Sequence, residues 1–87
     1  MKIFSLTILS QSETLFEGSA VSVIVPAGLG KMGILADHAP FMSTLTIGQI
    51  IVHEDDRSAP RCIPCDGHGF IEISRQGVTI LLDKTAQ

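Results

Sequence analysis

The sequence predicts an all-β fold, a flattened antiparallel β-sandwich of about eight to ten short strands. Three observations carry this expectation. Apolar and β-branched residues alternate with polar ones or form short runs, as where Phe4, Leu6 and Ile8 stand against Ser5 and Thr7. No helix-length window holds a 3.6-residue apolar period. Turn-forming clusters break the apolar runs at short intervals, and 87 residues leave room for one small domain.

Taken in order, the first strand is the alternating stretch from Phe4 to Ile8, closed by the polar turn Ser10-Gln11-Ser12-Glu13. Leu15-Phe16-Glu17-Gly18 marks a second. Val21, Val23 and Val25 alternate against Ser22, with Ile24 the exception, and carry a third strand to Pro26. Ala27-Gly28-Leu29-Gly30 is the next turn. From Gly30 to Gly48 the chain reads as a strand, a rigid corner and another strand. Gly30 and Gly33 permit positive φ or close backbone approach around Met32. Pro40 fixes its own φ and holds Ala39 extended, so Asp37-His38-Ala39-Pro40 turns the chain sharply. Phe41 to Thr46 resumes a strand, and Gly48 permits the following reversal. Ile50 to Val52 leads to the polar tip Glu54 to Pro60. Strand-like sequence around Cys62 and Cys65 follows, then Ile71 to Ile73, the turn Arg75-Gln76-Gly77, and Val78 to Leu82.

Composition narrows function. The formal net charge is −3, and Lys2, Lys31, Arg57, Arg61, Arg75 and Lys84 are scattered, so there is no basic stripe for nucleic acid. No apolar run approaches the ~18 residues of a membrane-spanning helix. Met1-Lys2-Ile3-Phe4-Ser5 opens no sustained apolar segment of the signal-peptide kind. Two cysteines without export signals point to a reducing cytosol. A hydrophobic content of 45% is rich for this length and points to apolar surface that a partner covers.

No catalytic, cofactor-binding or metal residues are assigned. Cys62, Cys65 and His68 form a C-x-x-C-x-x-H run, but structural zinc needs four ligands and a second Cys/His pair is missing. Strand alternation also sends Cys62 and Cys65 to opposite faces. A redox C-x-x-C belongs at a helix N-terminus. His38 reads as a hydrogen-bonding turn residue or a contact residue, and His53 as a surface one. Glu13, Glu17, Asp66 and Glu72 form no acid/base pair. Gly28-x-Gly30-x-x-Gly33 spells a dinucleotide pattern, yet a strand follows it, so the helix dipole that holds phosphate is absent.

Gly30-x-x-Gly33-Ile34-Leu35-x-x-His38-Ala39-Pro40 resembles the epsilon subunit of F-type ATP synthases (delta in mitochondria), in its N-terminal β-sandwich domain. Leu15-Phe16-Glu17-Gly18, Val21 to Pro26, Gly69-Phe70-Ile71-Glu72-Ile73 and Val78 to Ala86 resemble further family segments in the same order. The resemblance implies a single sandwich domain over residues 1–87 and a non-catalytic rotor role. In that role the domain joins the gamma subunit to the c-ring during ATP synthesis driven by ion transport, at the cytoplasmic face of the bacterial membrane. It assigns Ser10, His38, Phe41, Met42 and Ser43 to a gamma-facing surface. Leu29, Gly30, Lys31 and Met32 fall to the loop facing the c-ring, where most members carry an acid in place of Lys31.

Other departures are Ala36-Asp37 before His38-Ala39-Pro40, Thr46-Ile47-Gly48 for a Lys-Pro-Gly turn, and His68-Gly69 for a Gly-Gly pair. Epsilon subunits usually continue into a helical hairpin; Asp83-Lys84-Thr85-Ala86-Gln87 stops where it would begin, giving the expectation of a short form. The alternative is a free-standing β-sandwich binding module with a metal site at Cys62, Cys65 and His68.

Overall fold

Period-two patterning becomes nine strands among the described residues, as β-branched side chains settle on pleated surfaces. The computed structural model describes residues 2–28 and 30–83. The strands are β1 (Phe4–Leu9), β2 (Thr14–Ala20), β3 (Ser22–Ala27), β4 (Gly30–Leu35), β5 (Phe41–Thr44), β6 (Ile47–His53), β7 (Arg61–Asp66), β8 (Gly69–Ser74) and β9 (Gly77–Leu82). They form a five-stranded sheet, β2-β1-β9-β8-β5, and a four-stranded sheet, β4-β3-β6-β7. The all-β sandwich expected from the sequence is borne out.

Alternation decides which side chains fill the space between the sheets. Leu6, Ile8, Ile71 and Ile80 from the larger sheet meet Val23, Val25, Ile34, Ile50 and Val52 from the smaller, all at 0% exposure. Ile24 breaks the alternation of β3 because it points to the opposite, outer side, level with Ile51 and Gly33.

The pairings are antiparallel apart from one: β1 runs parallel to β9, with Leu6 opposite Val78 and Ile8 opposite Ile80. A parallel neighbour needs a long connection, and here almost the whole chain supplies it. Between β1 and β2 the register shifts at Ile8/Leu9, and Leu15 beside the shift packs against the core.

Gly48 departs from expectation. No reversal marks this segment: Leu45 already bridges Ala27 in the antiparallel sense that β6 keeps against β3, and the Thr46 N–H donates to the Pro26 carbonyl as the chain passes from one sheet to the other. Gly48 itself lies within β6 opposite Cys65.

Candidate partner-binding faces

At the corner between β4 and β5 the chain leaves one sheet for the other. Asp37 takes a φ of 66°, the left-handed geometry that Asp tolerates better than most residues. The Lys2 ammonium donates to the Asp37 carboxylate at 2.5 Å, ties the N-terminal end to this corner, and is held above its usual pKa by that hydrogen bond and by the Asp37 charge. His38 is exposed; its Nδ1 lies 2.8 Å from the Ala39 carbonyl, and its ring tilts against Phe41 with centroids 6.4 Å apart.

Phe41, Met42 and Ser43 lie on β5, the edge of the five-stranded sheet. Phe41 stands opposite Ile73 and Met42 opposite Glu72, so the two point to opposite faces. Both are nonetheless open, Phe41 at 43% and Met42 at 60% exposure, because among the described residues no strand lies beyond this four-residue edge. Ser43 is half-buried and donates its hydroxyl to the Thr44 carbonyl.

Ser10 lies at the far end of β1, where its hydroxyl donates to the Glu13 carbonyl and accepts from the Glu13 N–H, both at 3.2 Å. Ser10 and His38 are therefore not brought together: one flanks the C-terminal end of β1, while the other shares a cleft with Ile3, Phe4 and Ser5 at its start. Sequence reasoning missed a residue between Ser10 and the β5 edge. Phe70, 38% exposed, borders both the hollow beside Ser10 and the one formed by Met42, Ser43 and Thr44. The signal was present in Gly69-Phe70-Ile71-Glu72-Ile73, where inward Ile71 and Ile73 send Phe70 outward with Glu72.

At the β3–β4 end, Leu29 lies outside the described residues. Gly30 adopts a φ of 132°, reserved for glycine, and is exposed together with Lys31. Met32 faces Val25 and packs against the core, so the surface at this end is carried by Gly30 and Lys31.

Elsewhere Cys62 is exposed and Cys65 is buried on the other side of β7. Among the described residues no three His, Cys, Asp or Glu side chains gather as metal ligands. His53 differs from the surface residue expected: it is half-buried, and its Nδ1 has no hydrogen-bond partner.

Comparison with known proteins bears on these faces. The family model for the ATP synthase delta/epsilon chain, beta-sandwich domain, matches residues 3–87. The ATP synthase epsilon chain of Parvibaculum lavamentivorans is 38% identical over 78 residues, covering 90% of this chain and 58% of that protein. The ATP synthase epsilon chain of Caulobacter vibrioides is 32% identical over 81 residues, covering 93% of this chain and 91% of that protein. A chain of the Euglena gracilis mitochondrial ATP synthase, solved with OSCP, F1 and c-ring, superposes with a TM-score of 0.84 at 22% identity. That match covers 95% of this chain and 52% of that one, and it speaks to fold alone. The nine-strand sandwich, the Gly30-to-Pro40 corner and these relatives agree: the chain belongs to the family of the ATP synthase delta/epsilon chain β-sandwich domain.

Proposed function

We propose that this domain is a non-catalytic coupling element in the rotor of an F-type ATP synthase, seated between the gamma subunit and the c-ring. Membership of the delta/epsilon family is the observation that carries the reading. The physical properties suit the role. Torque passes through a body that does not deform, and side chains close-packed between two sheets make a stiff one. The exposed Phe41 and Met42 at the β5 edge supply a rigid aromatic and an adaptable thioether for one contact. Gly30 and Lys31 at the β3–β4 end supply a second, polar contact for the loops of the ring.

In this reading the domain forms no bonds of its own. It works at the cytoplasmic face of the bacterial inner membrane, held there through the complex. Co-purification with a gamma-containing subcomplex from the same organism tests the proposal. Stoichiometric capture is expected, and its loss in a folded Phe41→Ser/Met42→Ser double variant locates the contact. A correctly folded wild-type domain that gamma fails to retain overturns the proposal.

A further inference from the structure

At the end of the sandwich where β1 and β9 begin, the stretch from Ala36 to Pro40 carries the chain from β4 in one sheet to β5 in the other. A cleft of about 520 Å³ opens there, bordered by that corner, the start of β1 and the β8–β9 turn. Its size falls within the roughly 300–1,000 Å³ of small-molecule sites. Phe4, Ile73 and Val78 supply part of its apolar lining. Ile3 and Leu35 also border it and stand open, at 59% and 64% exposure. Two large aliphatic side chains left uncovered beside one concavity are apolar surface for an occupant to cover.

The polar groups of the cleft gather on the β8–β9 turn. Arg75 is exposed and, among the described residues, makes no ion pair. The Ser74 hydroxyl lies 3.3 Å from Gln76 Oε1 and accepts from the Gln76 N–H, which engages the amide oxygen and leaves the Nε2 hydrogens to donate elsewhere. The one carboxylate in the lining, Asp37, is already taken by the Lys2 ammonium. His38 stands at the same corner with its Nδ1 engaged by the Ala39 carbonyl.

We infer that this cleft binds a small organic anion with an apolar body, of the class of aromatic carboxylates. The body covers Ile3 and Leu35, and the carboxylate meets the Arg75 guanidinium, whose paired N–H donors match its two oxygens. Gln76 Nε2 supplies a further donor. Charge selects the ligand: with Asp37 neutralised by Lys2, Arg75 leaves the cleft one positive charge in excess, so an anion gains what a neutral isostere does not. The inference goes beyond the coupling role and does not depend on it.

The test titrates naphthoate into the full chain and follows amide NMR shifts. Saturable shifts at Leu35 to Asp37 and Ser74 to Val78 are expected, with a dissociation constant of about 1 mM for a ligand of so few atoms. Circular dichroism verifies that each variant is folded. Arg75→Gln, at an exposed turn position, is expected to weaken naphthoate about fivefold and leave uncharged naphthalene methanol unaffected. Leu35→Ser is expected to weaken both ligands, since apolar contact serves both. Shifts that never saturate, shifts centred elsewhere in the domain, or equal affinity of wild type and Arg75→Gln for naphthoate would overturn the inference. None of these results bears on co-purification with gamma.

Discussion

Gly77 opens β9 beside β1, the pair that runs parallel, and its substitution tests that docking directly. Its φ is 146°, a conformation that side-chain-bearing residues rarely adopt. A Cβ placed there would lie 2.6 Å from the Ser5 carbonyl oxygen and 2.9 Å from the Ser5 Cβ. Those atoms belong to a strand paired on both edges, so they cannot swing aside as a flexible side-chain tip would. Two costs follow for Gly77→Ala. Forcing alanine into this backbone region costs about 1–3 kcal/mol. Pushing β1 from β9 to relieve the overlap adds about 1–3 kcal/mol of overpacking. The total, about 2–6 kcal/mol, is a large part of the roughly 4–13 kcal/mol that a domain of this length holds in reserve. At about 4–8 °C per kcal/mol, the melting temperature falls by roughly 8 °C at the least and by several tens of degrees at the most.

The chain has no Trp or Tyr, so far-UV circular dichroism with heating and urea is the appropriate assay. Gly28→Ala is the internal control. It has open space around the added carbon and no positive φ, so it should be neutral or slightly stabilising. If Gly77→Ala melts within 2 °C of Gly28→Ala, the parallel β1–β9 contact is wrong.

Three further outcomes are expected. Asp55 accepts from the Arg57 and Ser58 N–H groups at 2.8 and 2.7 Å, and the Ser58 and Arg57 backbone bonds hold its pKa below the ordinary 3.8. A depressed carboxylate pKa contributes stability above the ordinary value and loses it as pH falls through the lowered one. The urea-midpoint gap between wild type and Asp55→Asn should therefore be open at pH 7 and close below about pH 3.8. The Arg61 guanidinium lies 5.6 Å from the centre of the Phe16 ring and 2.7 Å from Glu54, joining edge strands of the two sheets. With Arg61 60% exposed, Arg61→Ala should cost only about 1 kcal/mol by urea denaturation, and part of the loss should survive in 1 M NaCl. Mass spectrometry after thiol alkylation should find Cys62 labelled within minutes and Cys65 protected until the domain unfolds; equal rates would mean that β7 is facing the wrong way.

The β class and most strand positions were legible because period-two alternation reports local backbone geometry, and each strand carries its own copy of that signal. Phe4, Leu6 and Ile8 announce β1 without reference to any other residue, as Val78, Ile80 and Leu82 announce β9. The corner was legible for the same reason. Pro40 acts on its own φ and on Ala39, and Asp37 is of a residue type that tolerates the left-handed turn it adopts.

Facing was harder to read. Met32 was grouped with its loop neighbours, but register with Val25 turns it inward. His53 was read as surface, yet it is half-buried and leaves Nδ1 without a partner. Gly48 has the composition of a turn, but the chain runs on through it in β6, having crossed between the sheets at Leu45 and Thr46.

The sequence by itself determined the fold class, the strand list and the family, because alternation, proline restriction and turn chemistry act between residues close in the chain. Only the tertiary structure decided that the first and last strands pair side by side, and that the Ala36-to-Pro40 corner and the β8–β9 turn border one cleft. The partners across β1 and β9, such as Thr7 and Thr79, are 72 residues apart in the chain (79 − 7). Register between distant strands follows from how the whole core packs, a global property that no local window encodes.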